Sequence, residues 1–140
     1  MTTHDLPART VARLKTAARR AARYAYAPYS GFRVGAAVLT PGGEVFTGCN
    51  VENSSYGLTI CAERAAICRA IASGKRRILA LAVYTPANRT RMQDEAIAPC
   101  GACLQFAGEF AEDAVVILFS GSRTATVMLR DLLPCGFKLK

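Results

Sequence analysis

The chain has 140 residues, enough for one domain with one core, and 51% of them are hydrophobic, which excludes a disordered chain. No apolar run reaches the ~20 residues of a membrane-spanning helix, and residues 1–7 carry no apolar signal segment, so a single cytoplasmic domain over residues 1–140 is expected. A net charge of +8 raises the question of a nucleic-acid partner.

The first predicted helix covers residues 10–26 and stops before Pro28, which cannot continue it. Arg9, Arg13, Lys15, Arg19, Arg20 and Arg23 fall largely opposite Val11, Leu14, Ala18, Ala21 and Ala25 on a helical wheel. That is an amphipathic helix with a solvated basic face, so no nucleic-acid partner is expected. Residues 29–32 read as a loop. Residues 33–40 read as a strand that is apolar on both alternating faces, hence covered on both sides, and Gly35 leaves room for a close approach. Pro41-Gly42-Gly43 makes a turn into a second strand over residues 44–49, followed by a polar loop over 50–59. A helix over residues 60–72 is stopped by Ser73-Gly74. Residues 78–84 form a third strand, and 85–98 a polar connection. Pro99 sits where helices begin, which predicts a helix over 100–110 with Leu104, Ala107 and Phe110 on its inner side. Strands over 115–119 and 124–128 precede a last helical turn over 129–133, ended by Pro134. This order predicts an α/β domain, a sheet of five strands with helices on its faces.

The chemistry concentrates in Cys61-Ala62-Glu63 and Pro99-Cys100-Gly101-Ala102-Cys103. Cys61 and Cys100 fall in the first turns of two predicted helices, where partial positive charge favours thiolate, the form that binds zinc. Cys103 is three residues beyond Cys100 and shares its helical face. Three thiolates leave one tetrahedral position of zinc for water. A closed structural site would need a fourth ligand from His4, Cys49, Cys68 or Cys135. Cys68 lies roughly 10 Å along the helix from Cys61 and cannot reach the same metal. His4 is near the terminus. Cys49, Cys68 and Cys135 read as small apolar packing. The six cysteines do not read as a disulfide scaffold, because the chain has apolar residues enough for a core.

Glu63, two residues past a ligand, reads as a general acid/base; the plainer alternative is a helix-dipole partner. Arg64 can donate to the sulfurs and offset the net negative charge of three thiolates on a divalent cation; the alternative is a surface arginine. An inactive structural zinc protein stays open at this point.

These motifs resemble the small cytidine deaminases of the homotetrameric, three-cysteine zinc class. Tyr29-Ser30-Gly31-Phe32-Arg33-Val34-Gly35-Ala36-Ala37, Gly48-Cys49-Asn50-Val51-Glu52-Asn53 and Ser55-Tyr56-Gly57 carry the resemblance together with Cys61-Ala62-Glu63-Arg64. It implies a three-layer α/β/α cytidine deaminase-like fold with a mixed sheet, and one Zn²⁺ per subunit on Cys61, Cys100 and Cys103. It implies hydrolytic deamination of cytidine and deoxycytidine, with Glu63 moving the protons. Phe32 would stack on the pyrimidine, Asn50 and Glu52 would bind the ribose 3′-hydroxyl, and the Ala62 backbone would contact the base. Tyr56 and Phe137 would line a site where subunits meet, Phe137 being lent by a neighbour. Arg64 and Gln105 would lie behind the ligands. Leu104 stands where the family carries an arginine between Cys103 and Gln105, which leaves Arg64 alone to neutralise the thiolates. Two rival substrates remain at this stage: a modified nucleoside such as blasticidin S, and a base within single-stranded nucleic acid.

Overall fold

The computed structural model describes residues 6–86, 97–121 and 123–139. His4 and most of the predicted connection over 85–98 lie outside the described residues. The described elements are α1 (Ala8–Ala22), β1 (Gly35–Leu39), β2 (Val45–Cys49), α2 (Ala62–Ala72), β3 (Ala80–Tyr84), α3 (Gly101–Gly108), β4 (Val115–Ser120), β5 (Arg123–Met128) and α4 (Leu129–Leu132). A 3-10 turn over Tyr56–Leu58 interrupts the loop before α2.

The strands form one sheet in the order β2-β1-β3-β4-β5. Only the β3–β4 pair is parallel, so the sheet is mixed as expected. The doubly apolar strands sort their side chains by parity. Ala36, Val38, Leu81, Val83, Val116 and Leu118 face the layer that holds α2, α3 and α4. Ala37, Leu39, Ala80, Ala82, Ile117 and Phe119 face α1 through Leu14 and Ala18. Each central strand is thus buried on both faces, the pattern that near-continuous apolar runs require. Among the described residues no helix is long and apolar enough to cross a membrane.

α1 ends at Ala22, four residues earlier than the proline signal suggested. Tyr26 is taken out of the helix by a parallel bridge to Val51. Its N–H donates to the Asn50 carbonyl at 3.0 Å, and its carbonyl accepts from the Glu52 N–H at 2.8 Å. Long-range pairing supplies the backbone partners that further helix would have supplied.

Two glycines set how closely the helices sit on the sheet. A Cβ at Gly35 would strike the Ala18 carbonyl of α1, which bears out the close approach expected there. A Cβ at Gly48 would strike the Ala62 carbonyl and the Ala66 N–H of α2, both rigid helix backbone. Gly48→Ala must therefore lift the start of α2 off β2. Overpacking of this kind costs about 1–3 kcal/mol. Denaturant unfolding should show that loss, and metal analysis of the same protein should show reduced zinc. Gly57→Ala, whose Cβ would meet nothing within 4 Å, should stay within about 0.5 kcal/mol of the parent.

Candidate active site

Cys61 and Cys100 are the N-caps of α2 and α3, in extended backbone just ahead of each helix. The sequence pattern places both inside the first turn. Helix α2 begins two residues later than expected and α3 one, because each cysteine has the extended ψ that an N-cap takes. Neither side chain bonds to its helix's N–H groups, so both sulfurs face away from capping and toward each other. Cys103, on the first turn of α3, is buried and completes the group.

The three sulfurs lie within 4.8 Å of one another, and the Cys61 and Cys100 sulfurs are 4.0 Å apart. A disulfide would require about 2 Å. Zn–S bonds of ~2.3 Å at tetrahedral angles put sulfurs roughly 3.8 Å apart. The donor set and its spacing therefore fit zinc, held by Cys61, Cys100 and Cys103. Among the described residues no other cysteine joins this group. Cys68 and Cys135 are exposed, not packed in the core as expected, and Cys49 is half-buried.

Arg64 lies against the cluster. Its Nη2 donates to the Cys61 sulfur and to the Thr59 carbonyl, each at 3.5 Å. Its Nε is buried without a partner. Hydrogen bonds from the Cys103 thiol and from the Arg64 guanidinium pull the Cys61 thiol down to about 5. Cys103 goes the other way, chiefly because its proton is held in the bond to Cys61.

Glu63 is in the first turn of α2 and is 5% exposed. Burial pushes its carboxyl pKa up, and the negative charge at Cys61 adds to the rise. A carboxyl that is buried, raised and beside a metal-binding sulfur group is suited to taking and returning a proton. Glu63, Cys61 and Cys100 border a cavity of about 250 Å³ that is also lined by Val34, Asn50, Ala62, Val83, Thr85 and Pro99. Ala62 lines it at the first position of α2, where a backbone N–H has no acceptor within the helix.

The chain matches the family model for the cytidine and deoxycytidylate deaminase zinc-binding region over residues 9–119. The chain belongs to the cytidine deaminase family. A cytidine deaminase of Mycobacterium tuberculosis is 44% identical over 126 residues, 90% of this chain and 88% of that one. The crystal structure of cytidine deaminase from Burkholderia pseudomallei has a TM-score of 0.82 at 45% identity, covering 90% of this chain and 98% of that chain. The likeness to the blasticidin-S deaminase of Bacillus cereus is weaker, 27% over 106 residues, 74% of this chain and 76% of that one. The family is one of hydrolases that cleave a C–N bond, which sets the inactive structural zinc reading aside.

The remaining residues expected from the cytidine deaminase resemblance fall in two places. Asn50 is buried and donates through Nδ2 to the Phe32 carbonyl at 2.9 Å, while its Oδ1 accepts from the Val34 N–H at 2.8 Å. Glu52 accepts from the N–H groups of Tyr29 and Ser30. Tyr56 packs edge-on against Tyr29, with ring centroids 5.8 Å apart. Phe32, Asn50, Glu52 and Tyr56 thus belong to one pair of joined loops. Gln105 and Phe137 are together elsewhere: Gln105 Nε2 donates to the Phe137 carbonyl at 2.8 Å, and its Oε1 accepts from the Phe137 N–H at 3.3 Å. Leu104 is buried in the apolar layer between the helices and the sheet, so it is a packed core residue as well as a missing charge.

Sequence reasoning missed Val34, Thr59, Val83 and Thr85 as neighbours of the site, whereas Pro99 stood in the motif already. Ligands in α/β sheets bind beyond the carboxyl ends of parallel strands, and that rule pointed to Val83 and Thr85 at the end of β3.

The lowered Cys61 thiol makes a test. Thiolate is the form that is alkylated. In protein stripped of zinc by a chelator, alkylation at Cys61, followed by peptide mass mapping, should be nearly flat with pH above about 6 and fall as the pH drops through about 5. An unperturbed cysteine, near ~8.5, would still be gaining rate throughout that range.

Proposed function

We propose that this chain deaminates cytidine and 2′-deoxycytidine by hydrolysis, giving uridine and 2′-deoxyuridine with release of ammonia. The observation that carries the reading is the buried Glu63 carboxyl beside three converged thiols at one cavity. Zinc, when bound there, supplies a Lewis acid and lowers the pKa of water at the site. Glu63 takes a proton from the water that adds to C4 and delivers it to N3. It then carries a second proton to the departing amino group. Arg64 offsets the charge of the thiolates. Phe32 stacks on the pyrimidine, Asn50 and Glu52 hold the ribose 3′-hydroxyl, and the Ala62 backbone contacts the base.

The chain acts as a cytoplasmic homotetramer in this reading, with Tyr56 and a neighbour's Phe137 completing each site. Support comes from their exposure in the single chain, 74% and 72%. Asn50-Val51-Glu52 favours a plain ribose over blasticidin S.

Glu63→Gln keeps the shape and loses the proton carrier. It should fold and retain one zinc per chain, while turnover of cytidine falls on the order of 10²–10⁴-fold. An ultraviolet assay alongside metal analysis measures both, and near-normal turnover would reject the assignment. Removing zinc with a chelator should abolish activity, and added zinc should restore it. Light scattering after size exclusion should give four chains per particle.

A further inference from the structure

The two recognition loops are tied by a side chain that lies outside the cavity lining. Gly31, at φ +69°, turns the first loop so that its N–H reaches the Ala27 carbonyl at 2.9 Å. That turn brings Ser30 against Glu52. The Ser30 hydroxyl donates to Glu52 Oε2. The Ser30 hydroxyl oxygen in turn accepts from the Phe32 N–H at 3.0 Å. The backbone N–H groups of Tyr29 and Ser30 occupy Glu52 Oε1, at 3.0 and 3.1 Å.

Donor and acceptor counting makes the consequence specific. An ionised carboxylate offers about four acceptor positions. Three of them are used here, two on Oε1 and one on Oε2, so the remaining one is on the oxygen that Ser30 holds. A serine hydroxyl has a single proton to give, and it is committed to that oxygen. The Phe32 peptide is meanwhile held at both ends, its N–H by Ser30 and its carbonyl by Asn50. Tyr29 adds a second tie, its hydroxyl 2.6 Å from the Ser54 hydroxyl.

We propose that Ser30 is a positioning residue for the reaction, its hydroxyl holding the sugar-binding oxygen of Glu52 and the base-stacking Phe32 as one unit. The proposal rests on the reading of Glu52 and Phe32 as nucleoside contacts. Ser30→Ala leaves Glu52 its two backbone donors but releases Oε2, and leaves the Phe32 N–H without its acceptor. Substrate binding suffers and proton transfer at Glu63 does not.

The test compares the parent, Ser30→Ala, Ser30→Thr and Glu52→Gln on cytidine and on 3′-deoxycytidine, with thermal midpoint and zinc content measured on each. In Ser30→Ala the KM for cytidine should rise about tenfold, the size expected for a hydrogen bond to a charged group, with kcat changed less than about twofold. The preference for cytidine over 3′-deoxycytidine should shrink in Ser30→Ala and in Glu52→Gln alike. Ser30→Thr, which keeps the hydroxyl, should restore both KM and preference. If Glu52→Gln loses the preference while Ser30→Ala keeps it, the role of Ser30 is overturned and the sugar contact stands. If Glu52→Gln keeps the preference, the sugar contact itself fails and the proposal falls with it. A fall in kcat or in zinc content in Ser30→Ala would also overturn it, because the tie would then serve the metal centre and not the nucleoside.

Discussion

Two helices start within sulfur–sulfur contact of each other, and the site follows from that. Cys61 and Cys100 cap α2 and α3, and their sulfurs are 4.0 Å apart. Two full charges at that distance repel by about 4 kcal/mol near a protein surface. A helix dipole offsets typically 0.3–1 kcal/mol for one charge. Two helix starts cannot therefore support three thiolates. Arg64, donating to Cys61, balances one more. A divalent cation would balance the rest, so the geometry that fits zinc by distance also suits it by charge once the three thiols have lost their protons. Gly48 is the backbone condition for this meeting, since any side chain there would displace α2.

The loops proposed to hold the nucleoside are built on different material. The Phe32 loop and the Asn50–Tyr56 loop contain little regular structure, and side chains satisfy their backbone groups. Asn50 spends its amide on Phe32 and Val34 while lining the cavity, so it belongs to both parts. The cysteine group, by contrast, is seated on the starts of two helices that pack on the buried sheet.

The metal group was legible in the sequence because its spacing is local. Cys100 and Cys103 share a helical face wherever the helix goes, and Cys61 sits two residues from the carboxylate that it serves. The central strands were legible because runs such as 34–39 and 78–84 are apolar at both parities, which only a sheet covered on both sides explains. What stayed hidden depends on partners far along the chain. The early end of α1 comes from Tyr26 pairing with Val51. Nothing local to Asn50 announces that it braces residues 32 and 34. The shift of Cys61 and Cys100 from first turn to N-cap is only two residues and one, the scale on which helix ends fray, yet it turns both sulfurs off the helix surface. Leu104 was legible from its helical period, which put it on the inner side where the fold buries it, while the motif alone marked only an absent arginine.

The treatment of Phe137 carries the argument for partners one step further. Gln105 grips the backbone of Phe137 at both its N–H and its carbonyl, which leaves the ring 72% exposed. A bidentate hold on a peptide costs a glutamine its own freedom and gives the chain's own core nothing, because the ring is not in it. Tyr26, Val51, Tyr56, Leu58 and Ile60 are likewise exposed around the recognition loops. Apolar side chains gathered at one place on a surface mark a contact with something else. Under the homotetramer proposed above, the hold has a use: it fixes the backbone from which the Phe137 ring would reach the next chain. The Gln105 clamp would then belong to the neighbour's nucleoside site, although it stands only two residues past the Cys103 ligand of its own.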